Sequence, residues 1–356
     1  MLRIFAMHHE GADSGPFVFM RLSLAAIAVA MTGYCAQAAA QSADPEHGIQ
    51  IFTENDLFSR SSTDQWYTNG LRIVYLPRKQ EWQQLEEFGR LAKRFYDPEA
   101  VVRVGFTLGQ DIYTPRDIRN PAPQPWDRPW AGWTYIGAIA QAAAPDTQDT
   151  VELNIGAVGP KSGARSVQTR WHELIGAPRP EGWGNQIGNE LGVNLTWKHQ
   201  IRRQYVCNTF DLIPHYGLAL GNVYSYAAAG ATLRLGRNLS GFGDDRSVTS
   251  LRRGASISGF CLPPERSATE FYLFARTEGR LVARNIFLDG NTFRDSANVT
   301  KRPWAWDVSV GASLRFMENF RLTFTQTWRS MEFKPVDERT PRGVHRYGTI
   351  VAAYEF

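Results

Sequence analysis

Between Trp304 and Phe316 the chain alternates with a period of two. Trp304, Trp306, Val308, Val310, Ala312, Leu314 and Phe316 fall on one face, and Ala305, Asp307, Ser309, Gly311, Ser313 and Arg315 on the other. The same alternation sets Phe320, Leu322 and Phe324 against Arg321, Thr323 and Thr325, and Leu191, Val193, Leu195 and Trp197 against Gly192, Asn194 and Thr196. Val151, Leu153 and Ile155 likewise oppose Glu152, Asn154 and Gly156, and the chain closes on Ile350, Ala352, Tyr354 and Phe356. Period-two patterning over such lengths predicts strands with one apolar and one polar face. Strands of a soluble β-sandwich, the competing architecture, run to only about five or six residues. Long strands with aromatics near their ends and charge on the inner face predict tilted crossings of a transmembrane barrel, about ten residues each.

The expected fold is therefore all-β, a transmembrane antiparallel barrel of about twelve strands. They are placed near 46–56, 66–77, 101–111, 131–143, 149–160, 188–201, 205–221, 223–236, 270–287, 303–317, 320–332 and 344–356. The even number agrees with single-chain bacterial barrels. No stretch of the exported chain offers 18 consecutive apolar residues, so no crossing helix is expected.

The N-terminus adds a processing signal. Arg21 after Met20, the apolar run from Leu22 to Met31, and Ala38-Ala39-Ala40 before Gln41 read as a secretory signal peptide. Met20 is the expected start, 1–19 an upstream extension, 1–40 the leader and 41–356 the exported barrel domain. With both termini in the periplasm, the loops near 57–65, 112–130, 161–187 and 288–302 face outward. Cys207 and Cys261 then both fall at the periplasmic end, where export permits a disulfide, two separate thiols being the other reading. Lys and Arg total 39 against 35 Asp and Glu, a net charge of +4 with no basic run, which gives no signal for nucleic acid.

Four polar segments map to the outer end. The first is Glu54-Asn55-Asp56-Leu57-Phe58 with Trp66-Tyr67-Thr68-Asn69-Gly70. The second runs from Gly109 to Pro115 and on through Asp127-Arg128-Pro129-Trp130-Ala131-Gly132-Trp133. The third, Gln168 to Gly176, suits a short helix on which Gln168 and His172 share a face as an i,i+4 pair. The fourth is Gly182-Trp183-Gly184-Asn185-Gln186 leading to Glu190. If Ile49, Ile51, Leu71, Ile73 and Leu191 face lipid, then Asp56, Thr68 and Glu190 point into the barrel mouth beneath the loop carrying His172. The chain has no Gly-x-Ser-x-Gly elbow, no phosphate-binding Gly-rich loop, no Cys-x-x-Cys and no His-Glu-x-x-His, which disfavours serine hydrolase, nucleotide and zinc-protease chemistry.

Together these segments resemble the outer-membrane lipid A 3'-O-deacylase family, over nearly the whole exported chain. The resemblance implies a twelve-stranded barrel, integral in the outer membrane, with its site on the extracellular-leaflet side. It implies a calcium-dependent ester hydrolase that removes the 3'-linked acyloxyacyl group from the lipid A of lipopolysaccharide; separately, a monomer is expected. By similarity His172 is the base that activates water, Asn55, Asp56 and Thr68 form the active-site hairpin, and Gln168 sits beside the catalytic residue. Asp56 and Thr68 would hold Ca2+, an ion that favours oxygen ligands. Arg116, Arg119 and Arg128, with Glu190, would meet the substrate and its phosphates. The family's lysine near the second outer loop has no counterpart, since Lys93 alone lies between Gln80 and Lys161, and Arg116 or Arg119 would take its place. The other readings are a phospholipase-like barrel, usually built on a nucleophilic serine, and a non-enzymatic porin or structural barrel.

Overall fold

A computed structural model describes residues 47–58, 65–77, 100–243, 269–316 and 319–356. The expected leader and Cys261 lie outside the described residues. Cys207 is disulfide-bonded.

The strands are β1 (Gly48–Asn55), β2 (Trp66–Leu76), β3 (Val101–Thr114), β4 (Ala131–Ala143), β5 (Thr147–Val158), β6 (Glu190–Ile201) and β7 (Arg203–Val206). They continue as β8 (Phe210–Gly221), β9 (Tyr224–Arg237), β10 (Glu270–Asn285), β11 (Trp304–Phe316), β12 (Phe320–Arg329) and β13 (His345–Glu355). Among the described residues these thirteen form one antiparallel sheet, in which β1 pairs with β13 and β7 pairs only with β8. A direct β6–β8 ladder closes the sheet on itself, so twelve strands make the barrel and β7 is a short spur. The stretch expected as one strand near 205–221 is thus two. The chain reverses at Asn208, whose φ of 53° is a left-handed turn conformation that asparagine tolerates.

Alternation sorts the side chains as the pattern requires. Leu71, Leu108, Ile136, Leu195, Leu220, Leu273, Val310 and Phe324 are exposed on the outer face. No helix among the described residues is long and apolar enough to cross a membrane. The inner face is polar and internally paired. Arg72 reaches Glu152 at 2.5 Å, Arg276 reaches Glu278 at 2.6 Å, and Arg329 holds Asp307 through two bonds of 2.8 Å.

One end of the barrel, opposite the chain termini, carries two helices. Helix α1 (Ala164–Ile175) was expected; the single turn α2 (Ile286–Asp289) was not. The buried side chains of Ile286, Phe287 and Leu288 fill this mouth. Phe287 stacks on Tyr113 with ring centroids 4.2 Å apart, and Leu288 packs with Trp66, Val299 and Phe333. Below this plug a cavity of about 200 Å3 remains, lined by Glu54, Arg72, Asp111 and Tyr135 among others.

At the opposite end Asp211, fully buried, accepts from Arg202 Nε at 2.7 Å and from Arg234 Nη2 at 2.6 Å. Replacing it by alanine leaves two buried guanidinium groups facing each other, a change that typically costs about 3–5 kcal/mol. Asp211→Ala is therefore expected to lower the temperature at which the folded band converts to the unfolded one in heat-modifiability gels, while Asp211→Glu retains most of it.

Candidate active site

The register of five neighbouring strands defines the floor of the site. Gly348 pairs with Asn55, Asn55 with Asn69, Asn69 with Ile112, and Ile112 with Gly132. Directly paired residues share a face of the sheet, and that face continues down each strand through every second residue. Two residues from Asn69 is Leu71, four from Ile112 is Leu108, and four from Gly132 is Ile136, all exposed to the outside. The row therefore lies on the outer wall of the barrel.

The expectation that Thr68 points into the mouth is corrected by a β-bulge. The register of β2 against β3 shifts between Tyr67 and Asn69, leaving Thr68 as the extra residue. Tyr67 takes the inward place, and its hydroxyl donates to Glu54 at 2.5 Å and Asp111 at 3.2 Å. Thr68 instead shares a hydrogen bond of 2.7 Å with Thr114, which lies two residues beyond Ile112 on the outward side of β3. Thr68 and Thr114 are both buried despite facing outward.

Asn55 ends β1 and is buried on the same outer row. Asp56 begins a 3-10 turn, is fully buried, and accepts from the Gln65 backbone N–H at 2.7 Å. The turn folds over the outer wall, where a side chain on Gly348 would run into Phe58.

Helix α1 covers the other end of the row. A Cβ on Gly132 would overlap Ala164 and Ser162, so only glycine lets the helix start approach the wall this closely. Two outward polar groups fix the approach, since Gln110 Nε2 and Thr134 Oγ1 both donate to the Ser162 carbonyl, at 2.9 and 2.7 Å. Ala164 then packs with Ile112, Ile118, Trp130 and Trp183.

The buried stripe of α1 is Ala164, Gln168 and His172, spaced i, i+4, i+8. A stripe that buries glutamine and histidine while Val167 and Leu174 are exposed reverses the usual pattern for a packed helix. Trp183 Nε1, which can only donate, bonds to Gln168 Oε1 at 2.8 Å. That contact orients the amide, and Gln168 Nε2 is buried with no hydrogen-bond partner.

The end of α1 aims the histidine. Gly176 adopts a left-handed conformation, φ 69°, and Ala177 N–H returns to the His172 carbonyl. The reversed chain brings the Pro178 carbonyl within 2.6 Å of His172 Nδ1. A carbonyl only accepts, so Nδ1 carries a proton, and in the neutral ring the lone pair resides on Nε2.

The predicted substrate residues separate. Arg116 and Arg119 are exposed on the loop between β3 and β4. Arg128 is buried on the inner side, its guanidinium 4.6 Å from the Tyr113 ring centroid and 3.3 Å from Glu332. Burial pushes the Glu332 carboxyl up, but Arg128, Arg329 and Arg280 outweigh it and hold it below the usual range. Asp127 clamps this loop by accepting from Trp66 Nε1 at 3.1 Å, Arg128 N at 2.7 Å and Arg116 N at 2.9 Å. Burial nevertheless pushes the Asp127 carboxyl above the usual range.

Glu190 lies apart from this group. It accepts from Asn222 at 2.8 Å, Asn291 at 3.1 Å and the Thr292 backbone at 2.8 Å, tying together the loops after β8 and β10. The structure thus gathers Asn55, Asp56 and Thr68 on the outer patch that also seats the helix of Gln168 and His172, and leaves Arg128 and Glu190 elsewhere.

Thr114, Trp183 and Gly132 belong to this patch without having been singled out as site residues, although each stood inside a noted segment. The Pro178 carbonyl had no sequence signal, because any residue supplies a carbonyl.

The profile of the family described as "Outer membrane protein LpxR" matches residues 22–356. Among solved structures, LpxR from Salmonella typhimurium superposes with a TM-score of 0.65 at 21% identity, covering 87% of this chain and 100% of that one. The beta domain of the Bordetella autotransporter BrkA follows at a TM-score of 0.44 and 10% identity, covering 87% of this chain and 99% of that one. The comparison with curated proteins gives no match.

Gly132→Leu is expected to lift α1 from the wall while the heat-modifiable barrel still forms. Limited trypsin digestion at Arg165 and Arg170 should accelerate by about tenfold or more, the effect of weakening local docking by about 1.4 kcal/mol.

Proposed function

The chain belongs to the outer membrane protein LpxR family and is an integral outer-membrane β-barrel, and from that premise we propose that it hydrolyses an acyl ester of lipid A. The observation that carries this reading is the buried Gln168–His172 stripe, seated on the outer wall and not in the lumen. Chemistry on that side meets molecules of the leaflet, whereas a pore would need the lumen that Phe287 and its neighbours fill.

The bond broken is the 3'-linked acyloxyacyl ester. His172, its Nδ1–H held by the Pro178 carbonyl, takes a proton from water at Nε2. The water oxygen bonds to the ester carbonyl carbon, and the carbonyl oxygen gains the charge. Gln168 Nε2, its orientation set by Trp183, donates to that oxyanion. Collapse breaks the carbon–oxygen bond, and His172 returns its proton to the departing sugar oxygen, leaving a carboxylic acid and an alcohol.

Calcium fits the residues at hand. Among the described residues no three of His, Cys, Asp and Glu form a cluster. A cation beside the outer row would rest on the Asp56 carboxylate with neutral oxygens such as the Thr68 hydroxyl, a donor set that suits a hard ion. When bound, the ion supplies positive charge to stabilise the developing oxyanion. Asn55 lines the same patch, and Arg116 and Arg119 stand exposed where phosphates of the headgroup can reach them.

The test is mass spectrometry of lipid A extracted from outer membranes in which the chain is expressed with calcium present. Loss of the 3'-linked acyloxyacyl group is expected, and an unchanged acyl pattern overturns the assignment. His172→Ala should lower the rate by about 10²–10⁴-fold, the usual contribution of a general base, with the barrel still folded. Chelation should stop turnover in the wild type and added Ca2+ should restore it. In Asp56→Ala the calcium concentration needed for half-maximal rate should rise.

A further inference from the structure

Helix α1 has a third face that the hydrolysis above does not use. At about 100° per residue, its circumference divides into three sectors. Ala164, Gln168 and His172 meet the barrel wall. Val167 and Leu174, 47% and 77% exposed, form an apolar edge open to the surroundings. On the remaining side Arg165, Ser166, Thr169, Arg170 and Glu173 combine with Arg179 and Pro180 to line a groove of about 260 Å3.

Three guanidinium groups face one carboxylate in this groove. Arg165, Arg170 and Arg179 are all exposed, and among the described residues none of their side chains makes a hydrogen bond or an ion pair. The interior of the barrel, by contrast, matches its arginines to carboxylates.

We propose that this groove is a phosphate subsite that takes a phosphorylated lipid headgroup. The apolar edge of α1 sets the helix at the boundary of the hydrocarbon, with its charged face at headgroup level. Arginine pairs with phosphate through two parallel hydrogen bonds, and the Ser166 and Thr169 hydroxyls add donors. Arg179 follows Pro178, whose carbonyl orients His172, so one short segment serves both the groove and the histidine. The identity of the lipid rests on the lipid A reading above; the phosphate preference does not. The phosphate belongs either to the lipid being hydrolysed or to a neighbour packed beside it.

The experiment uses the full chain in neutral detergent micelles, with bisphosphorylated lipid A as the sole anionic amphiphile. Against the wild type stands the triple variant Arg165→Gln, Arg170→Gln, Arg179→Gln, whose exposed positions leave folding intact by heat-modifiability. The expected result is a KM raised by about tenfold or more, a kcat within about twofold, and loss of the wild type's sensitivity to salt. An effect seen with lipid A alone assigns the phosphate to the substrate. One that needs phosphatidylglycerol in the micelle assigns it to a neighbour. A triple variant with wild-type KM and salt response in both micelles overturns the subsite.

Should the wild type turn over no lipid A, the deacylase reading fails and equilibrium binding decides the groove alone. Tighter binding of bisphosphorylated than of dephosphorylated lipid A, abolished in the triple variant, supports it. Equal binding by the two proteins overturns it.

Discussion

In hydrocarbon no water satisfies a backbone N–H or C=O, so a sheet that crosses a membrane must end on itself. The β6–β8 ladder meets that condition, and the remaining architecture depends on it. Once twelve strands close, every residue is committed to the wall's inside or outside. The inside receives Arg72, Glu152, Asp307 and Arg329, which compensate one another, and the outside receives leucine, isoleucine and phenylalanine. Any chemistry must then be fitted to one of two surfaces.

A single extra residue makes the choice here. Thr68 interrupts the pairing of β2 with β3, turns Tyr67 inward toward Glu54 and puts a hydroxyl outside beside Thr114. Gly132, two strands away on β4, removes the side chain that would keep α1 away. Bulge and glycine together form a polar patch on a wall that is otherwise greasy. The inside, meanwhile, is filled at the same end by Phe287 packed against Tyr113.

Much of this was legible in the order of residues. Alternation over ten or more positions marked the barrel, its strand number and the loops that share one end, because burial in lipid admits no other pattern. The i,i+4 relation of Gln168 and His172 was visible from helical spacing, and the segments around Asn55 and Thr68 from their polar residues at the outer end. Four features were not. A bulge changes the facing of Thr68 without changing composition. The reversal at Asn208 and the one turn of α2 are too short to carry a period. The Pro178 carbonyl belongs to the backbone, which is identical at every position, and only the left-handed Gly176 reveals where it will point. Sequence thus located the polar patch by its members but assigned Thr68 to the wrong side of the wall.

A patch between an exterior helix and the outer wall has a different kinetics of supply from a cleft in a soluble protein. On the function proposed above, its entrance opens sideways, along the plane of the bilayer, with the exposed Val167 and Leu174 at the edge. Lipids would reach it by lateral diffusion, without first leaving the leaflet. The concentration that governs occupancy is then a surface density, the mole fraction of the lipid among its neighbours. Diluting the aqueous phase leaves it unchanged, whereas adding inert lipid lowers it.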